Sequence, residues 1–367
     1  MVAPRGDAME NRPKGRSECI RDWKAGGGKI AAVFPIHYPR ALLKAAGLLP
    51  VEVWGPPGVD TRDADAHLQG YVCDIVRRGL DFLLSGNLAE CDILLVPHGC
   101  DSLQGLGSLL MDFIRPEIPV LTFYPPRSRG MPAVEYCRRE IERLAGEIES
   151  RTGSRIDVGE WKEQLALDAR IDEKISELWL RRPEMEIGNA ELYNILASRT
   201  WLPACEFLEL LDHVLSATKK REPAEKRIAL SGIIPEPRGL LDVFDRHSVA
   251  ICYDHTCYVG RRLYGPEGQD PPALAEARRM LSAPADVTLG ATPAGMASEV
   301  VERAFAAKCE GVLVVAPKFC EPELFAWPAM KRRCDEAGLK AMLLEVELTK
   351  ELSARDAGRL EAMLETL

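Results

Sequence analysis

The chain has no Cys-x-x-Cys pair, so neither a zinc ribbon nor a thioredoxin-type motif is available to it. It has no glycine-rich phosphate loop of the Walker type, which argues against ATP hydrolysis. No run approaches the roughly 18 apolar residues of a membrane span. The polar opening, MVAPRGDAMENRPKGRSECIRDWKAGGG, lacks the apolar core of a signal peptide. Basic residues are not in excess either: the net charge is −9, which argues against nucleic acid as a partner. The expectation is a cytoplasmic protein with no membrane partner, whose residues 1–28 form a flexible leader.

What is present is a globular α/β chain. At 367 residues, 46% of them hydrophobic, it exceeds one ordinary core. KIAAVFP, LPVEVWG, CDILLVP and PVLTFYP read as strands that alternate with helical stretches, the pattern of a parallel sheet. Strand signals vanish from about 131 to 222, where the helical period dominates. They resume with RIALSGII, SVAICYD, a short DVTLGA, GVLVVAP and LKAMLLEVE. The predicted fold class is therefore α/β, with two Rossmann-like or flavodoxin-like parallel-sheet domains and a helical segment between them. The expected boundaries are 29–130 for the N-terminal domain, 131–222 for the helical segment and 223–367 for the C-terminal domain.

Eleven cysteines is a high count for such a chain. Disulfides do not explain it in a reducing compartment. Cys91, Cys205, Cys252 and Cys309 read as small buried hydrophobes, whereas Cys19, Cys137 and Cys334 lie in polar surroundings and read as exposed. The other four stand apart. In open parallel sheets, ligands sit beyond the carboxyl ends of strands. Cys100, Cys257 and Cys320 each follow a strand at that end, in ILLVP-HGC, AICYD-HTC and VLVVAP-KFC. Cys73 sits on the helix before the Cys100 strand. Converging thiolates suit a soft metal, iron–sulfur more than zinc. The alternative is four unrelated cysteines. His37, His98 and His255 lie at strand mouths, where an acid or base would act, although a lone histidine is more often structural. Asp101 and Ser102 read as helix caps, or, for Ser102, as a donor to cluster sulfur.

Several segments resemble the 2-hydroxyacyl-CoA dehydratase and benzoyl-CoA reductase family, and in particular its D-component. They are FPIHYPRALLKAAGLLPVEVWG, YVCDIVRRGLD, HGCDSLQG, ICYDHTCYVGRRLYG and APKFCEPELFAWPAMKRRCDEAGLKAMLLEVEL. They occur in order from about residue 29 to the end, with one extra residue before Gly260.

The resemblance implies a [4Fe-4S] cluster, or a double-cubane cluster, in a cleft between two α/β domains. Cys73, Cys100 and Cys320 would be its ligands. Cys257 would be a further ligand or a nearby thiol, and Arg261 or Arg262 the cation near cluster or acyl-CoA. The implied catalytic groups are His37, His98 and Arg261, and the implied cofactor-binding residues are Ser102 and Cys257. The implied activity is radical dehydration of a 2-hydroxyacyl-CoA to the 2-enoyl-CoA through a ketyl. The alternatives are a benzoyl-CoA reductase-type or double-cubane reductase subunit, or an iron–sulfur protein without turnover. The implied partners are a paralogous subunit or a second copy, and a separate ATP-hydrolysing iron–sulfur activator. Arg40 stands where the family often has Glu, which favours an electron-relaying β-type subunit.

Overall fold

A computed structural model describes residues 13–266 and 268–367. Among the described residues eight strands form two four-stranded sheets. The first holds β1 (Lys29–Val33), β2 (Leu48–Glu52), β3 (Ile93–Pro97) and β4 (Val120–Phe123), all parallel, in the order β2-β1-β3-β4. The second holds β5 (Lys226–Gly232), β6 (Val249–Thr256), β7 (Gly311–Pro317) and β8 (Lys340–Val346), also parallel, in the order β6-β5-β7-β8. The two sheets have the same plan. In each, the chain leaves the first strand for one side and then returns to its other side. That reversal lies between β1 and β3 in one sheet and between β5 and β7 in the other. The central strands are continuous apolar runs because helices cover both faces. ILLVP and GVLVVAP are buried throughout, whereas the edge strand β8 is mostly half-exposed.

The helices before and within the first sheet are α1 (Arg16–Ala25), α2 (Arg40–Ala45), α3 (Arg62–Asp65), α4 (Asp74–Leu84) and α5 (Asp101–Leu109). Between the sheets run α6 (Met131–Thr152), α7 (Val158–Arg181), α8 (Asn189–Ala197) and α9 (Ala204–Ala217). The second sheet carries α10 (Gly239–Arg246), α12 (Pro293–Ala306), α13 (Glu321–Glu336) and α14 (Ala354–Glu365), whereas α11 (Pro272–Leu281), which follows β6, packs on α6 in the core of the first sheet. Local caps set several starts. Asp157 accepts from Glu160 N–H at 2.8 Å to open α7, and Thr292 accepts from Gly295 N–H at 3.0 Å to open α12. Among the described residues no helix is long and apolar enough to cross a membrane.

Three expectations give way here. From Arg16 the leader is an ordered helix. The Cys19 thiol is buried and donates to Trp201 O at 3.2 Å, Trp23 Nε1 donates to Lys29 O at 2.9 Å, and Lys24 pairs with Asp92 at 2.9 Å. Residues 1–12 of that leader lie outside the described residues. DVTLGA is not a strand but a single 3-10 turn, Val287–Leu289. Asp286 caps the turn by accepting from Thr288 N–H at 2.8 Å, and Gly290 closes it at φ 80°. The cysteine burial also differs. Cys137 and Cys334 are fully buried like Cys19, because each sits on the apolar stripe of an amphipathic helix, while Cys205 is exposed and Cys91 half-buried.

Candidate functional site

The reversal points of the two sheets face one small cavity of about 50 Å³. The segments that follow all four inner strands line it: Pro35 and Ile36 after β1, Gly99 and Cys100 after β3, Ile233 after β5, and Cys320 and Pro322 after β7. Trp54, Cys73, Ile75, Val76, Leu103 and Thr288 complete the wall. Crevices at reversal points are where open parallel sheets hold ligands. Here the two crevices are merged. Gly232, which ends β5 at φ 108°, permits the close packing: a Cβ on it would stand 2.1 Å from Val315 O.

Three thiols meet at this cavity, and each stands at the N-cap of a helix: Cys73 of α4, Cys100 of α5 and Cys320 of α13. This corrects two expectations. Cys73 precedes its helix and is not within it. Cys100, not Asp101 or Ser102, is the capping residue. A helix N-terminus carries unpaired N–H groups and a partial positive charge, which favour thiolate over thiol. The Cys73 and Cys320 thiols titrate against each other, so that Cys73 is held below the usual thiol range while Cys320 is pushed well above it. The N–H groups of Ile75 and Val76 also draw Cys73 down, against the opposing effect of burial. Burial pushes Cys100 up to about 12, although the N–H groups of Leu103 and Ser102 pull the other way. Ser102 lines a wider outer groove of about 420 Å³ with Tyr71, Phe113 and Glu321.

Three thiols on an otherwise largely apolar wall are a donor set that suits a thiolate-bound cluster, while among the described residues no three His, Cys, Asp or Glu side chains are grouped closely enough to hold one metal ion. The apolar wall suits such a group, which is stabilised by thiolate donors and N–H contacts to sulfur.

Behind Cys320 lies a buried polar network. Arg261 Nη1 donates to Glu323 at 2.6 Å and stands 3.4 Å from the Cys257 sulfur and 3.5 Å from Asp286. Its Nε donates to His255 O at 3.0 Å. His37 Nε2 is 2.9 Å from Asp286 Oδ2, and its Nδ1 is 3.3 Å from Tyr264 Oη. Burial works against the Asp286 charge, yet Arg261 and His37 hold its carboxyl well below the usual range. Burial and Arg261 lower His255 to about 3, so it is neutral. Glu323 is in the first turn of α13, so this network anchors the helix that presents Cys320.

The structure thus brings Cys73, Cys100 and Cys320 together and sets the other expected residues apart. Cys257 and Arg261 lie in the network, fully buried, and do not line the cavity. His37 bridges the two sheets through Asp286. His98 turns under α5, edge-on to Tyr124 with ring centroids 4.4 Å apart. Gly107 makes room for it, since a Cβ there would be 2.4 Å from His98 Nε2. Arg262 is held by Glu52 at 2.6 Å, and Glu52 also accepts from Arg40 at 2.5 Å, Trp54 at 2.7 Å and Tyr38 at 2.8 Å. Glu52, Asp286 and Glu323 were not singled out in the sequence. An acidic residue within an otherwise apolar strand, as in LLPVE, was the one available signal for Glu52.

Residues 35–367 match the family model described as 2-hydroxyglutaryl-CoA dehydratase, D-component. The chain is 23% identical to the lactoyl-CoA dehydratase subunit beta of Anaerotignum propionicum, over 95% of each chain. It is 26% identical to the (R)-2-hydroxyglutaryl-CoA dehydratase subunit beta of Acidaminococcus fermentans, over 94% of this chain and 93% of that one. It is also 26% identical to one of the subunits of benzoyl-CoA reductase from Thauera aromatica, over 86% of this chain and 85% of the other.

Proposed function

We propose, from the premise that this chain belongs to the 2-hydroxyglutaryl-CoA dehydratase D-component family, that it is the electron-relaying iron–sulfur subunit of a 2-hydroxyacyl-CoA dehydratase. The observation that carries this reading is the meeting of Cys73, Cys100 and Cys320, each at a helix N-terminus, at the merged crevices of two parallel sheets. These three would hold a [4Fe-4S] cluster. When bound, such a cluster supplies a low-potential electron, which the acyl-CoA thioester takes up transiently so that water can leave as the 2-enoyl-CoA forms.

The chain's own residues do three things. The N–H groups at the starts of α4 and α5 favour the charged form of Cys73 and Cys100, which lowers the cost of thiolate in a buried place. Ile36, Trp54, Ile75, Val76, Leu103 and Ile233 exclude water, so the local dielectric is low and charge is unscreened. The Arg261–Glu323 pair fixes α13 and hence Cys320.

Relay is favoured over dehydration at this cavity itself. Apart from its cysteines, Thr288 and the Trp54 indole, its wall is apolar and offers no carboxylate or imidazole for proton transfer. Arg40 fits the same reading, because it neutralises Glu52 and leaves that carboxylate, lowered to about 2, no role as a base. Burial opposes the Glu52 charge, but Arg262 and Arg40 outweigh it.

The implied partner is a paralogous subunit that holds the acyl-CoA, together with a separate activator that hydrolyses ATP. The test is anaerobic co-purification with a paralogue encoded beside it. Iron, sulfide and electron paramagnetic resonance are then measured, followed by activator-dependent dehydration of lactoyl-CoA and 2-hydroxyglutaryl-CoA. About four irons per chain and turnover only with both subunits support the reading. An iron-free chain, or a pair that turns over equally well without this chain's cysteines, refutes it.

A further inference from the structure

A second cavity, of about 30 Å³, shares Ile36 with the thiol cavity but has the opposite character. Arg40, Arg199, Arg262 and Arg279 line it, with Lys44 directly behind. Three carboxylates serve these five cations. Glu52 is shared by Arg40 and Arg262, Asp172 by Arg199 at 2.6 Å and Arg279 at 2.7 Å, and Asp168 pairs with Lys44 at 2.6 Å. Two positive charges are left over. A further carboxyl, Glu276, lies on the wall and meets no cation. It accepts from Ala41 N–H at 2.9 Å and from Trp161 Nε1 at 2.6 Å.

We infer that this cavity binds one compact monoanion, either a halide ion or the carboxylate of a small acid. Arg199 Nε and Nη1 and Arg262 Nε are buried and have no hydrogen-bond partner. The two side chains are only 9% and 5% exposed. Charged donors buried without an acceptor are costly, and the cost rises where like charges crowd together. The crowding shows in the titration of its members. Burial and the neighbouring guanidinium groups lower the proton affinities of Arg199 and Lys44, in spite of their carboxylate partners. Burial raises Glu276 to about 7, so at neutral pH it offsets only part of the excess. Water can accept hydrogen bonds here but cannot cancel the charge. The volume holds about two water-sized bodies, which admits chloride, formate or acetate and excludes a nucleotide or the phosphates of coenzyme A.

The inference rests on this cavity alone and not on the dehydratase reading. It is tested by thermal unfolding and calorimetry of the full chain, titrated with sodium chloride, formate or acetate against sodium gluconate at matched ionic strength. A ligand of the native state raises the unfolding temperature in a saturable way. The compact anions should do so and gluconate should not. Saturation by chloride but not by formate or acetate identifies a halide site, and the reverse a carboxylate site. Arg199→Gln and Arg40→Gln should each weaken the apparent affinity at least about tenfold, the effect of about 1.4 kcal/mol. Arg40→Gln leaves Glu52 its bonds from Arg262, Tyr38 and Trp54, so it is the variant expected to fold if Arg199→Gln does not. Equal response to gluconate and the compact anions overturns the inference, as does wild-type affinity in both variants. Iron content is read separately, so either site can fail without the other.

Discussion

Glu276 is buried, 4% exposed, and its carboxyl is raised to about 7 by burial and by the nearby Asp168 charge, while hydrogen bonds from Trp161 and from the N–H groups of Ala41 and Leu42 oppose the rise. In the unfolded chain the group titrates at its ordinary 4.5. Between those values the native state binds the proton more tightly than the unfolded state. Its contribution is therefore fully present below about pH 4.5 and is lost as pH rises through 7. The interval corresponds to about 3 kcal/mol, and between about pH 5 and pH 8.5 the loss is roughly 2.5 kcal/mol.

Glu276→Gln removes that titration. It also loses a hydrogen bond, because both oxygens of Glu276 accept and the amide nitrogen of glutamine cannot. That costs about 1 kcal/mol at any pH. The variant should be less stable than wild type near pH 5 and more stable near pH 8.5. The assay is urea unfolding followed by tryptophan fluorescence, with wild type and variant compared at both pH values. The difference between the two differences cancels every other titrating group. If it stays under about 0.5 kcal/mol, Glu276 is already ionised in the native protein, and the account of Glu276 as a proton-retaining carboxyl on the cavity wall is wrong.

Cys100→Ser should abolish most iron binding while the far-ultraviolet circular dichroism is unchanged, because a hydroxyl stays protonated where a thiol yields its proton to metal. Cys309→Ser, in the core cluster away from the cavity, should keep full iron, and an iron assay of both proteins checks the contrast. Arg261→Met should destabilise the protein by about 3–5 kcal/mol, since Glu323 is left buried without its cation. Arg261→Lys should recover part of that loss in the same urea titration. Gly232→Ala should prevent close packing of β5 on β7, because the new Cβ would stand 2.1 Å from Val315 O, and the soluble yield should fall sharply in parallel expression trials.

Local periodicity carried the α/β plan. Apolar runs such as ILLVP and GVLVVAP, bounded by turns and separated by helical stretches, can form little but the inner strands of covered parallel sheets. The same runs placed Cys100, Cys257 and Cys320 at strand ends with Cys73 on the element before β3, and the segment resemblance singled out Cys73, Cys100 and Cys320 from these four. The DVTLGA stretch was misread because period-2 hydrophobicity over six residues does not distinguish a strand from a capped turn. The capping carboxylate of Asp286 decided it. The side on which Cys19, Cys137 and Cys334 fall was likewise set by helix packing and not by neighbouring residues in the chain.

By itself, then, the sequence determined the two-sheet parallel α/β plan and offered four candidate thiols, Cys73, Cys100, Cys257 and Cys320. Tertiary structure alone decided how the two sheets' crevices merge, that each thiol caps a helix, and that Cys257 and Arg261 lie in a network off the cavity wall. It also decided that His98 is packed under α5. The reason is range. A hydrophobic period reports which face of an element is buried. The pairings Glu52–Arg262, His37–Asp286 and Ala41–Glu276 span 210, 249 and 235 residues. Such contacts depend on the relative placement of two sheets, and buried charges settle wherever that placement supplies a partner.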